Sequence, residues 1–350
     1  MLWKRTSAVL LAVVAIVFVS ANFQAVEQKK ATEPVATWDK NTMVTEVAIA
    51  LGDKKPLHYI DKVDPAKAKM GEDFILKGKT VGPDGKTTRQ QSTHYVCTNC
   101  HNVQQEDPDL AVSDPVARLA YAAKNDIPFL QGTTFYGIVN RETWYNDDYF
   151  KKYGSLVEPA RDTLVNAIHL CAVQCSQGRD FNDWEMEAVV HYLHTIGYKL
   201  GDLGLSDADY ARLNNAANGK EDKAATLTWL KSKFFTKSPA HFVDPYAMKR
   251  DMGTNGDPVN GKLIYDQGCL SCHKSDGGVT NYMLNHEKIT FRQLERHLPK
   301  NSHHSAYYIT RKGTYSVPGY KPYMPNYTSD RMSEKQLEDL VAYIKQQANR

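Results

Sequence analysis

Cys97-Thr98-Asn99-Cys100-His101 and Cys269-Leu270-Ser271-Cys272-His273 are the two stretches on which the reading of this chain turns. Two cysteines three positions apart reach the two vinyl groups of one porphyrin, and the histidine that follows lies under the iron as its axial ligand. Each pentapeptide therefore reads as an attachment site for covalent haem c. Cys97, Cys100, Cys269 and Cys272 are the anchors, His101 and His273 are the proximal ligands, and the cofactor content predicted is two covalently bound haem c groups. The competing reading is a zinc site made of two Cys-x-x-Cys knuckles. The wide separation of the pairs, and a histidine at the same offset in each, argue against it, because structural zinc ligands come in closer sets.

Outward from the motifs, the same order of helix signals surrounds both. Asp64-Pro65 and Asp257-Pro258 each offer an N-cap followed by proline at the first helical position. Asn182-Asp183-Trp184-Glu185 and Ser333-Glu334-Lys335-Gln336 each fit a capping box. Behind these, Met186, Val189, Val190 and Leu193 form an apolar stripe, and Leu337, Leu340, Val341 and Ile344 repeat it. The order of helix, CxxCH, loop, ligand region and helix thus occurs twice. This predicts an all-α fold of two cytochrome c-like haem domains, at 26–200 and 254–350, joined by a partly helical tether at 201–253.

The copies differ. Leu263, Ile264 and Tyr265 run almost directly into Cys269, whereas an insertion from Lys79 to His94 precedes Cys97. Within it, Val81-Gly82-Pro83-Asp84-Gly85-Lys86 predicts a tight turn or short hairpin. In the tether, Leu227, Trp229, Leu230, Phe234 and Phe235 predict a helix packed on a domain.

The 350 residues suit two domains and a tether. The formal charge of +3 is near balance, with no nucleic-acid footprint. At the N-terminus, Lys4-Arg5 precedes an apolar stretch from Ala8 to Val19 and then small residues, the layout of a signal peptide over residues 1–25 with cleavage after Ala21 or Ala25. An uncleaved anchor is the alternative, although the stretch falls short of the roughly 20 apolar residues that span a bilayer. Either way the folded part is expected in an oxidising compartment, the periplasm.

The sixth iron ligands differ between the halves. Tyr323-Met324-Pro325 lies shortly before the terminal helix, and Met324 is the expected ligand opposite His273, a pairing that raises the reduction potential. Met283, Met332 and the pair His303-His304 compete with it. Tyr307, Tyr308, Tyr315, Tyr320, Tyr323 and Tyr327 surround that loop, either as walls of a porphyrin or as packing with hydroxyls directed to solvent. The first half has no Met-Pro loop. It has His169-Leu170-Cys171-Ala172-Val173-Gln174-Cys175, and three readings stay open: a Cys171–Cys175 disulfide, ligation by one thiolate, or ligation by His169.

Met70-Gly71-Glu72-Asp73-Phe74-Ile75-Leu76, Gly82-Pro83-Asp84-Gly85-Lys86 and Cys97-Thr98-Asn99-Cys100-His101 resemble the N-terminal haem domain of dihaem thiosulfate dehydrogenases. So do Ala167-Ile168-His169-Leu170-Cys171, Gln177-Gly178-Arg179 and the run from Glu185 to Leu193. In that family, and in the related haem subunit of the sulfur-oxidising system, a cysteine of this segment is the sixth ligand of haem 1, and Cys171 falls on it. Cys175 stands where the family more often has serine. The segment from Asn102 to Asp107 and the stretch from Phe135 to Tyr149 also depart from the family, and both could reshape a substrate pocket. The C-terminal half resembles a small class I-like cytochrome c domain.

A thiolate lowers the potential of an iron and a methionine raises it. His101/Cys171 and His273/Met324 would thus run electrons from haem 1 to haem 2, and on to an acceptor protein such as another cytochrome. The resemblance implies that a small inorganic sulfur anion, thiosulfate, is the donor, joined in pairs to tetrathionate. A dianion needs a cation near the iron; Arg179 is the first candidate, before Arg141 and Arg161. A non-catalytic electron carrier is the alternative. A dihaem peroxidase is a third class, for which no motif marks an openable iron site.

Overall fold

The computed structural model describes residues 37–247, 249–275, 279–299, 304–314 and 323–350. The expected signal peptide, His303, Tyr315 and Tyr320 lie outside the described residues. Helix follows helix: α1 Val44–Ala50, α2 Pro65–Lys77, α3 Pro115–Lys124, α4 Asp147–Tyr153, α5 Leu164–Leu170, α6 Asp183–Thr195, α7 Asp207–Ala217, α8 Lys223–Lys231, α9 Pro258–Ile264, α10 Leu270–His273, α11 Lys288–His297, α12 Ala306–Lys312 and α13 Glu334–Ala348. The fold is all-α. Its extended pairing among the described residues is limited to the bridges Met43 to Lys199 and Val81 to Thr87.

The helix starts follow from side-chain chemistry. Asp64 accepts from Ala66 N at 2.8 Å and Lys67 N at 3.2 Å, satisfying two of the donors that the first turn leaves unpaired. Asp257 accepts from Val259 N at 2.9 Å. Asn182 and Glu185 exchange bonds of 3.1 Å in both directions, and Ser333 and Gln336 do so at 2.9 and 3.1 Å. The predicted turn closes through Gly82 N to Lys86 O and Gly85 N to Gly82 O, with Gly85 at φ 77°, where a β-carbon would be strained.

One packing arrangement occurs twice. At Gly71 of α2 a β-carbon would lie 2.0 Å from Ala188 O and 2.9 Å from Tyr192 Cβ of α6. At Gly261 of α9 it would lie 1.9 Å from Asp339 O and 2.8 Å from Tyr343 Cβ of α13. In each half a glycine of the early helix lets its backbone reach that of the late helix, one turn before a tyrosine. The stripes that make the late helices amphipathic are buried: Met186, Val189, Val190 and Leu193 in one, Leu337, Leu340, Val341 and Ile344 in the other.

Three apolar clusters result. The first-half core gathers Phe74, Ile75, Leu164, Phe181 and the α6 stripe. The C-terminal core gathers Ile264, Tyr265, Phe291, Tyr307 and the α13 stripe, and takes in Leu119 and Phe129 from the first half. The third joins Val44 and Val47 of α1, and Leu51 just after it, to Tyr198, Leu200, Leu213, Leu230 and Phe234. The tether region is therefore two helices rather than one, and it is packed. Phe234 lies beyond the end of α8 and is buried there. Burying a side chain of this size contributes about 1.5–3 kcal/mol. Residues 37–350 form one compact unit.

Candidate functional site

Both CxxCH histidines are held by a main-chain carbonyl. His101 Nδ1 donates to Thr133 O at 2.6 Å, and His273 Nδ1 donates to Tyr282 O at 2.7 Å. Committing Nδ1 fixes the tautomer and ring orientation and leaves Nε2 as the nitrogen for a metal. Burial pulls both imidazoles below their ordinary pKa, against these hydrogen bonds, so each is the neutral base that ligation needs. Phe135 stacks on His101 with centroids 4.6 Å apart. Gly132 donates to Cys100 O, and a β-carbon there would lie 2.7 Å from His101 Nδ1, so the glycine lets the backbone pack against the ring.

The four motif cysteines are each partly buried and in no disulfide, and no group of three or more His, Cys, Asp or Glu among the described residues is arranged to hold a bare metal ion. A thiol pair with one neutral, oriented histidine fits a covalently held haem at each motif. The two motifs also meet: Cys272 Sγ lies 3.7 Å from Asn99 O.

The segment expected to supply the sixth ligand near His101 is a π turn, Cys171–Cys175, which continues α5. Single π turns inside helices concentrate at functional sites. A second one, Tyr265–Cys269, leads from α9 into the other motif. Cys171 hydrogen-bonds to Cys175 and lies in the neighbourhood of Cys97 and Cys100. The Cys171 bond and the Tyr323 hydroxyl pull the Cys175 thiol down against burial, while Cys171 is pushed up. No disulfide joins the pair. His169 Nδ1 bonds Asp180 Oδ1, which, as at His101 and His273, leaves Nε2 as the nitrogen for a metal, so His169 stays an alternative to the sulfur ligands.

Met324 is clamped in the main chain: its N–H donates to Thr314 Oγ1 at 2.6 Å, and its carbonyl accepts from Thr314 N at 2.9 Å. Of its competitors, Met332 is in the C-terminal core, Met283 is exposed beside Tyr282, whose carbonyl holds His273, and the His304 ring lies 5.4 Å from that of His297. Tyr307 and Tyr327 direct their hydroxyls inward, to Glu338 Oε2 at 2.5 Å and Phe129 O at 2.6 Å, rather than to solvent. Tyr323 crosses to the first half, where its carbonyl accepts from Tyr95 OH at 3.2 Å.

Arg179 is not the unpaired cation that its sequence neighbourhood suggested. Its two terminal nitrogens grip Glu185 at 2.6 Å each, and that carboxylate also closes the capping box of α6. Arg161 pairs with Asp147 at 2.9 Å. Arg141 lines a cleft with Thr133, Thr134 and Tyr198, on the His101 side. Lys152 went unnoticed in the sequence. Its Nζ donates to Asn326 Oδ1 at 2.7 Å and lies 4.6 Å from the Phe242 ring centroid. Burial and then Lys312 lower its pKa to about 8. Also unread was a buried ionic group of Glu106, Arg118 and Arg331 beside His101, since nothing local in sequence brings 106 to 331.

Residues 258–348 match the family model described as Cytochrome c. That part of the chain is a cytochrome c domain, so covalent haem c and haem-based electron transfer belong to it. No curated protein and no solved structure matches the chain.

Proposed function

We propose that the chain is an exported, periplasmic dihaem c-type cytochrome that moves electrons from a haem at Cys97, Cys100 and His101 to one at Cys269, Cys272 and His273. The observation that carries this reading is the 3.7 Å approach of Cys272 Sγ to Asn99 O, which brings the two attachment loops into contact. The repeated glycine-to-backbone crossing supports a second haem module in the first half, because α2 and α6 pack as α9 and α13 of the cytochrome c domain do. Bound haem c supplies one-electron redox chemistry at each site. The protein's part is to orient His101 and His273, to offer a sulfur ligand from Cys171 and the Met324 thioether, and to fix the gap between the sites.

The finer reading is a thiosulfate dehydrogenase-like oxidoreductase in which two thiosulfates join to tetrathionate and release two electrons, passed in turn to an acceptor protein such as another cytochrome. Lys152, near the Tyr149 and Tyr153 aromatic group, is a better cation for the dianion than Arg179. The pinned Arg179 also favours the second reading, a carrier without turnover. Steady-state assay with thiosulfate and ferricyanide separates them: turnover supports the enzyme, and its absence leaves the carrier or an enzyme for another substrate. EPR of the oxidised protein tests the sulfur ligand. Cys171→Ala is expected to abolish a thiolate-type low-spin signal; persistence of that signal would move the ligand to Cys175.

A further inference from the structure

The peptide group between Thr133 and Thr134 is engaged at both ends. Its carbonyl oxygen accepts from His101 Nδ1 at 2.6 Å, and its N–H donates to Glu106 Oε1 at 3.0 Å. Glu106 is only 2% exposed. Its Oε2 accepts from Asn102 Nδ2 at 2.8 Å, Arg331 Nη1 lies 2.7 Å from Oε1, and Arg118 Nη2 lies 3.7 Å from Oε2. An N–H that donates to a carboxylate polarises its peptide, so the carbonyl of that peptide becomes a stronger acceptor. A stronger acceptor at Nδ1 makes the imidazole a stronger donor at Nε2 and stabilises the ferric state of an iron held there.

We propose that Glu106 is a positioning residue for the haem at His101, acting through the Thr133–Thr134 peptide to orient the imidazole and lower the reduction potential of that site alone. Arg331, supplied by the cytochrome c domain, sets how much of the carboxylate's charge reaches the peptide. Docking of the C-terminal module is thereby part of the redox poise of the first. The inference rests on the reading that the first motif carries haem.

The charge is permanent. Burial disfavours an ionised Glu106, but Arg331 and Arg118 outweigh burial and hold the carboxyl at about 2. At the second site the carbonyl that holds His273 belongs to Tyr282, and Tyr282 and Met283, which share that peptide, are 43% and 44% exposed where Glu106 is buried; among the described residues no carboxylate is bonded to that peptide.

Haem content is measured first by pyridine haemochrome; one haem per chain withdraws the dihaem reading and this inference together. With two haems present, each midpoint potential is read by spectroelectrochemical titration, the haems being told apart by their EPR signals. Glu106→Gln keeps an amide oxygen for Thr134 N–H but removes the charge. It is expected to raise the potential of the His101 haem and leave that of the His273 haem in place, and Glu106→Asp is expected to bring the value back toward wild type. Asn102→Ala leaves the carboxylate with its arginines but withdraws one donor, and it is expected to shift the same haem the opposite way, downward. This variant decides the matter if Glu106→Gln fails to fold. An unchanged His101 haem potential, equal displacement of both haems, or a rise in Asn102→Ala overturns the proposal.

Discussion

Arg331 Nη1 and Glu106 Oε1 are 2.7 Å apart, fully inside the protein, and belong to opposite halves of the chain. Arg331 also donates to Gly132 O at 2.8 Å and Leu130 O at 3.1 Å, and Arg118 Nη1 donates to Arg331 O at 2.9 Å. The pair is a hydrogen-bonded bolt between the halves rather than a surface ion pair. Removing Arg331 leaves the buried Glu106 charge with only the longer contact to Arg118 at 3.7 Å, and a buried charge left wholly without a partner costs about 3–5 kcal/mol. Arg331→Ala is therefore expected to lower the free energy of unfolding obtained from urea titration by about 2–4 kcal/mol. A loss below about 1 kcal/mol, the range of exposed pairs, would contradict the bolt.

The same carboxylate makes stability depend on acid. Its folded pKa of about 2 lies below the ordinary 4.5, so the unfolded chain binds the proton first as pH falls. The contribution is complete above pH 4.5 and is lost as pH falls through 2. Its ceiling is about 3 kcal/mol, at ~1.4 kcal/mol per unit. Urea unfolding of wild type and Glu106→Gln at pH 6 and pH 3 is expected to show a stability difference that narrows in acid. A pH-independent difference would mean that the group is not ionised in the folded state.

The paired helix crossings have no space for a methyl group. Gly71→Ala puts its β-carbon 2.0 Å from Ala188 O, and Gly261→Ala puts its own 1.9 Å from Asp339 O. Overpacking of this kind costs about 1–3 kcal/mol. Each variant is expected to melt earlier by calorimetry, and by similar amounts, if the crossings are equivalent.

Haem stoichiometry tests the motifs independently. Wild type is expected to carry two haems, and both Cys97→Ala/Cys100→Ala and Cys269→Ala/Cys272→Ala are expected to carry one. A first-pair variant with wild-type haem content would show that the first motif is not an anchor.

Features carried by a few neighbouring residues were legible in the sequence. Asp64 and Asp257, the Asn182 and Ser333 boxes and the Gly82–Lys86 turn involve partners within five residues, and each forms as its spacing predicts. The motifs are legible for the same reason. What escaped depends on distance along the chain. Asp114-Pro115 repeats the helix-start signal, yet why α3 matters appears only where Arg118 meets Arg331. The π turns need one residue more per turn than the apolar stripes allow, and no local signal marks them. Arg179 looks available in sequence because the capping-box spacing of Glu185 carries no sign that the same carboxylate also binds an arginine.

The approach of Cys272 Sγ to Asn99 O also bears on how the protein is made. The motif cysteines are partly buried and the two attachment loops touch once the halves have closed. On the proposed dihaem reading, the thioethers form while the chain is still open, and loading comes before the halves close.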